Sequence, residues 1–142
     1  MAPTVVSPER LEEKFRRLGE YLAVLRQLRD VPAQALLGDL VRMGSVKYYL
    51  QVSIESCIDV AQHVIASEGF RPPQDYADTF TVLAERGILE QDFAERLRRM
   101  AKFRNRLVHL YGEIDDRQVV GMLGGDLGDF DRFRQKILAL LK

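Results

Sequence analysis

Arg104-Asn105-Arg106-Leu107-Val108-His109-Leu110-Tyr111 brings a guanidinium, an amide, an imidazole and a phenol together within eight residues. A guanidinium stays charged at any ordinary pH and can hold a phosphate through paired hydrogen bonds. An imidazole accepts or gives up a proton near neutrality. In combination they make a minimal kit for cleaving RNA without a metal. The rest of the chain reads as scaffold.

On an ideal helix each residue turns about 100°, so Met100, Phe103, Leu107, Leu110 and Ile114 mark a core side. Asn105 and His109, four apart, then share a face directed away from that stripe, and Arg104 and Tyr111 share an edge beside it. Arg104 and His109 are five residues apart and splay by roughly 140°, which makes them poor partners on one straight helix. For both to act on one phosphate, the helix must kink or end inside the motif, or a second copy of the protein must supply the complementary half.

Taken singly, each of these residues has an ordinary explanation. Arg104 reads as a boundary arginine paired with a carboxylate, Asn105 as a solvent-facing amide, and Tyr111 as a packed ring with its hydroxyl at the rim. A lone outward histidine such as His109 is usually incidental and takes its weight from its neighbours. His63 reads as structural or incidental.

The remaining composition narrows the choices. The 142 residues are expected to form one domain, 1–142, with enough chain to bury a core. Lys and Arg number 21, as do Asp and Glu, so nucleic-acid affinity has to come from a local patch. Arg96, Arg98, Arg99, Lys102, Arg104 and Arg106 form such a run, whose plain reading is a solvated helix face. The one cysteine, Cys57, sits in an apolar stretch and reads as a buried, inert thiol. Two histidines and one cysteine offer no metal-ligand spacing. The glycines from Gly121 to Gly128 lack a P-loop lysine. No cofactor is expected. Met1 to Pro8 does not read as a signal peptide and no apolar run reaches membrane-spanning length, so the expectation is a cytoplasmic protein.

Helical signals run along the whole chain. Ser7-Pro8-Glu9 reads as a helix entry, followed by the seam Leu11, Phe15, Leu18, Leu22 and Leu25. Asp30-Val31-Pro32 interrupts it. A second long helix is predicted from about Asp39 to Ala66, with Leu40, Met43, Leu50, Ile54, Ile58, Ala61 and Ile65 inward, as the central and most buried one. Gly69 to Pro73 forms a turn, and a short helix from Tyr76 to Glu85 ends at Gly87. A third long helix starts near Glu90 and stops at Gly112. Asp115-Asp116 caps a short helix through Leu123, Gly124-Gly125 and Gly128 break it, and Asp129 to Lys142 forms the last helix. The fold class is all-α: an up-and-down bundle of about four main helices plus short ones.

Arg-x4-His on a helical bundle resembles the signature of HEPN ribonucleases. The longer form Arg-x4-His-x-Tyr, with Asn after the Arg, is similar to the HepT toxins, whose genes pair with an MntA-type minimal nucleotidyltransferase antitoxin. Arg104, His109 and Tyr111 match the fixed positions, and Asn105 matches the usual polar second residue. Further similarity lies in Leu50 to Glu55, Ile58 to Ala66, the Arg71-Pro72-Pro73 turn, Tyr76, Phe80 and Leu83 to Ile88. In all it extends from roughly Leu11 through Leu140.

The resemblance implies a metal-independent RNA endonuclease acting as a homodimer, with two motifs facing across a cleft. His109 would be general base or acid for attack of the ribose 2′-hydroxyl on the adjacent phosphate. Arg104 would hold the phosphate, and Asn105 would orient the phosphate or the imidazole. Products would carry a 2′,3′-cyclic phosphate, and DNA, lacking the nucleophile, would be spared. Tyr111 would receive AMP from ATP through the antitoxin, and the added anion would block the groove. The RNA would be transfer RNA or messenger RNA, and no membrane is involved. Two competing readings are a non-catalytic docking subunit for a nucleotidyltransferase and a helical protein with an accidental motif.

Overall fold

The computed structural model describes residues 7–125 and 127–141. Seven helices follow one another: α1 (Pro8–Arg29), α2 (Ala33–Leu37), α3 (Leu40–Glu68), α4 (Tyr76–Glu85), α5 (Gln91–His109), α6 (Asp116–Gly125) and α7 (Leu127–Ala139). The four longer ones are the expected main helices, and no strand occurs among the described residues. The stretch read for a leader lies, up to Val6, outside the described residues. No helix is long and apolar enough to cross a membrane among those described.

α1 begins as its sequence dictates, with the Ser7 hydroxyl accepting from the Arg10 backbone N–H and Pro8 in the first turn. Its seam of Leu11, Phe15, Leu18, Leu22 and Leu25 is buried throughout, each such side chain contributing about 1.5–3 kcal/mol of transfer free energy. α3 is capped by Asp39, whose carboxylate accepts from the N–H groups of Val41 and Arg42. It packs against every other helix, which makes it the axis of the bundle. Leu40 departs from expectation: at the first turn of α3 it projects past its neighbours and is 90% exposed.

Gly69 closes α3 with φ of 70°, a left-handed conformation that a residue without Cβ adopts without strain. The following turn is pinned by Arg71, which bridges Asp78 and Glu85 of α4. α4 and α5 then pack side by side, while Phe80 of α4 meets Phe133 of α7 edge-on at 5.8 Å.

Several boundaries differ from the sequence expectation, among them the end of α7, at Ala139 rather than Lys142. α2 occupies the segment after Pro32 and buries Leu36; a helix of five residues is too short to show a period. α5 ends at His109 rather than Gly112, and Leu110, assigned inward, is 45% exposed. Gly124, Gly125 and Gly128 are all helical: α6 runs through Gly125 and α7 starts at Leu127, two residues before the expected Asp129. Burial of Leu123 and Leu127 offsets the roughly 1 kcal/mol that each glycine costs a helix interior.

Candidate functional site

α5 places the motif. Leu107 and Phe103 turn into the core, which fixes the rotation of the helix, and Arg104, Asn105 and His109 follow from that rotation. Arg104 reaches α3: its Nε and Nη2 donate to Glu55 Oε2 at 2.8 and 2.6 Å, and its guanidinium lies 5.0 Å from the Tyr76 ring centroid. The arginine side chain is only 16% exposed. The carboxylate partner expected of a boundary arginine is therefore Glu55, which also accepts from Gln51 Nε2 at 3.3 Å.

Asn105 is half-buried rather than fully solvent-facing, because its Oδ1 accepts from Arg104 Nη1 at 3.2 Å. It meets the guanidinium and not the imidazole. His109 is exposed, at the last position of α5, and has no hydrogen bond or ion pair among the described residues. The helix persists through His109, so within one chain the splay between Arg104 and His109 stands.

Tyr111 lies beyond the end of α5 and shares no helical edge with Arg104. It folds back on α3 instead. Its hydroxyl would lie 3.7 Å from a Cβ at Gly44, and Lys47 Nζ sits 4.6 Å from its ring centroid. Lys47 is nearly buried and is held by Asp116 Oδ1 at 2.8 Å, the first residue of α6. Arg104 and Tyr111 thus dock on the same helix at residues 55 and 47, separated by about 12 Å along its axis. The tyrosine remains 48% exposed.

The basic run does not form one free patch. Arg96 pairs with Asp129, Arg98 with Glu95 and Thr81, Arg99 with Glu95, and Arg106 with Gln118. This is closer to the solvated helix face of the plain reading, with most of its arginines paired. His63 accepts from the Ser7 backbone N–H at 3.2 Å and so ties the start of α1 to α3. Cys57 is fully buried, and burial pushes its thiol pKa well up. No group of three His, Cys, Asp or Glu side chains is gathered as for a metal among the described residues.

Glu55 and Tyr76 are the neighbours that sequence reasoning did not single out for the site. They line, with Arg104, Ile58 and Asp59, a cleft of about 240 Å³. The available signal was the carboxylate that Arg104 required; which of the acidic residues answers that need is decided by tertiary packing.

The family described as ribonuclease HepT-like matches residues 18–137. The chain belongs to that family. An mRNA nuclease HepT from Shewanella oneidensis is 35% identical over 101 residues, covering 71% of this chain and 76% of that protein. A tRNA nuclease HepT from Aphanizomenon flos-aquae is 23% identical over 138 residues, covering 97% and 94%. Among solved structures, the tri-AMPylated Shewanella oneidensis HEPN toxin in complex with MNT antitoxin superposes with a TM-score of 0.84 at 29% identity, over 91% of this chain and 96% of that one. The bundle described above is thus the HEPN toxin fold.

Proposed function

We propose that this chain is a single-domain toxin ribonuclease, working as a homodimer, whose partner antitoxin is an MntA-type nucleotidyltransferase. The observation that carries the reading is the exposed imidazole at the end of α5, next to a half-exposed Tyr111 and a fixed, half-buried Arg104. Around them lie exposed apolar side chains: Val108 and Leu110 on the motif, and Leu40, Val41 and Tyr48 on the turns of α3 flanking Gly44. An apolar surface of this kind beside polar chemistry suits association with a second copy. Such pairing supplies what one helix lacks, with Arg104 of one copy and His109 of the other converging on one phosphate.

His109 takes the proton from a ribose 2′-hydroxyl, and the 2′-oxygen attacks the adjacent phosphorus. The bond from phosphorus to the 5′-oxygen breaks, that oxygen is protonated by the conjugate acid of an imidazole, and a 2′,3′-cyclic phosphate remains. Arg104 stabilises the charge that gathers on the phosphoryl oxygens, with Asn105 holding the phosphate or the guanidinium in register. No metal is required, and DNA is spared for want of the 2′-hydroxyl. The substrate is a transfer RNA or messenger RNA, the kinds of RNA for which the two relatives are named.

Tyr111 is the residue that receives AMP from ATP; the related Shewanella oneidensis toxin in complex with its antitoxin is tri-AMPylated. The added phosphodiester would set a negative charge beside the imidazole and repel an RNA backbone.

A second reading has one observation in its favour. Glu55 neutralises Arg104 within the chain, which suits a non-catalytic docking subunit for a nucleotidyltransferase. RNA cleavage in the presence of EDTA separates the two. Wild-type cleavage that leaves cyclic phosphate ends, lost in His109→Ala and Arg104→Ala, supports the toxin; equal residual cleavage in all three rejects it. Mass measurement on the Tyr111 peptide after incubation with the antitoxin and ATP tests the modification.

A further inference from the structure

We infer that Glu55 is a positioning residue for phosphate capture, setting the one edge of Arg104 that an RNA phosphate meets; this rests on the nuclease reading above. A guanidinium has five N–H donors. In Arg104 the Nε and one Nη2 hydrogen go to Glu55 Oε2, at 2.8 and 2.6 Å, and one Nη1 hydrogen goes to Asn105 Oδ1 at 3.2 Å. One hydrogen is left on each terminal nitrogen. The edge shared by Nε and Nη2 is therefore taken, and the edge shared by the two terminal nitrogens, met only by Asn105 at Nη1, is the one left for a phosphate.

The surroundings close the alternative approach. On the Glu55 side, the cleft holds a second carboxylate, Asp59, which Lys14 meets at 3.6 Å from outside the cleft lining, so a phosphate there would crowd two carboxylates. The Tyr76 ring lies against the guanidinium at 5.0 Å and restricts its plane. Tyr76 is itself the first residue of α4, held there by the Asp75 cap and by the Arg71 bridge to Asp78. Glu55 is steadied in turn by Gln51 Nε2 at 3.3 Å. Asn105 is the weaker of the two partners, and a phosphate oxygen can replace its carbonyl at Nη1 without disturbing the Glu55 clamp. The arginine thus presents two parallel donors in a preset plane, the arrangement that fits a tetrahedral anion.

A positioning carboxylate beside a phosphate site has an uncommon signature. Its charge works against RNA binding while its geometry works for the reaction. Removing the charge but keeping the shape, in Glu55→Gln, should therefore tighten binding and slow chemistry together. Two measurements are made on the full chain. Cleavage of the RNA that wild type cuts fastest gives kcat, and affinity for a wholly 2′-O-methylated RNA oligonucleotide, which cannot react, gives Kd. Glu55→Gln is expected to lower kcat about tenfold or more, as misplacement of a positioning group does, while Kd falls a few-fold through loss of a nearby anion. Glu55→Asp keeps the charge and pulls back the carboxylate, so kcat should fall with Kd unchanged.

A residue that merely supports the fold would lower the melting temperature without lowering kcat and Kd together. Glu55→Gln or Glu55→Asp cleaving at the wild-type rate, or faster, overturns the inference, the faster case marking Glu55 as a restraint on the enzyme. Wild-type and Arg104→Ala protein run alongside distinguish the two levels: absence of cleavage by the wild type sinks the nuclease reading, whereas Arg104-dependent cleavage that ignores Glu55 sinks this inference alone.

Discussion

Arg104→Ala should weaken the fold as well as any activity, whereas His109→Ala should not. The Arg104–Glu55 pair is 16% and 30% exposed on its two side chains. It lies between surface pairs, worth about 0–1 kcal/mol, and buried pairs whose rupture costs about 3–5 kcal/mol, so about 1.5–2 kcal/mol is expected. Loss of the contact with the Tyr76 ring adds about 0.5–1 kcal/mol. Arg104→Ala should therefore cost about 2–3 kcal/mol and lower the melting temperature by about 5–10 °C. The His109 imidazole is exposed and makes no hydrogen bond among the described residues, so His109→Ala should stay within about 0.5 kcal/mol of wild type. Urea unfolding followed by helical circular dichroism measures both. A double-mutant cycle with Glu55→Gln should return a coupling of about 1–2 kcal/mol. Equal stabilities for the two alanine variants, or no coupling to Glu55, would refute the structural role given to this ion pair. The result also sets the temperature below which loss of cleavage by Arg104→Ala can be read as chemistry.

Other outcomes follow from the same structure. Gly69→Ala should cost about 1 kcal/mol because φ there is 70°, whereas Gly19→Ala, on open helix surface, should stabilise by about 0.5–1 kcal/mol; urea midpoints check both signs. Cys57 should resist iodoacetamide in the native protein and react on addition of urea, since burial raises its thiol pKa. Hydrogen bonds from Arg71 and from the Gln74 backbone hold Asp78 at about 2, below its ordinary 3.8. The folded state then binds fewer protons, so this contribution to stability is complete above pH 4 and is lost as pH falls towards 2. Acid titration of Asp78→Asn should show a shallower loss of stability across that window.

Where one physical signal dominated, the sequence was readable. The α1 seam is a single narrow stripe with a proper cap, and all five of its residues are buried. α4 was bounded correctly because Asp75 caps it and Gly87 accepts a positive φ beyond its end. Leu40 and Leu110 were misassigned because helical period says which face a residue takes, not whether a neighbour covers that face. Gly124, Gly125 and Gly128 misled because local propensity was outweighed by the buried Leu123 and Leu127 beside them. At the site, spacing located Arg104, Asn105, His109 and Tyr111 but not their surroundings. Glu55 and Lys47 reach the motif from α3 across 49 and 64 residues of sequence, counting from Glu55 to Arg104 and from Lys47 to Tyr111.

The sharpest test of a composite site pairs two defective copies. Arg104→Ala and His109→Ala chains, co-expressed with different affinity tags and purified as the mixed dimer, retain one complete set of groups if Arg104 and His109 act across chains. Cleavage should return to about half the wild-type rate, one of two equivalent sites being whole. A mixed dimer no more active than either parent variant would contradict it.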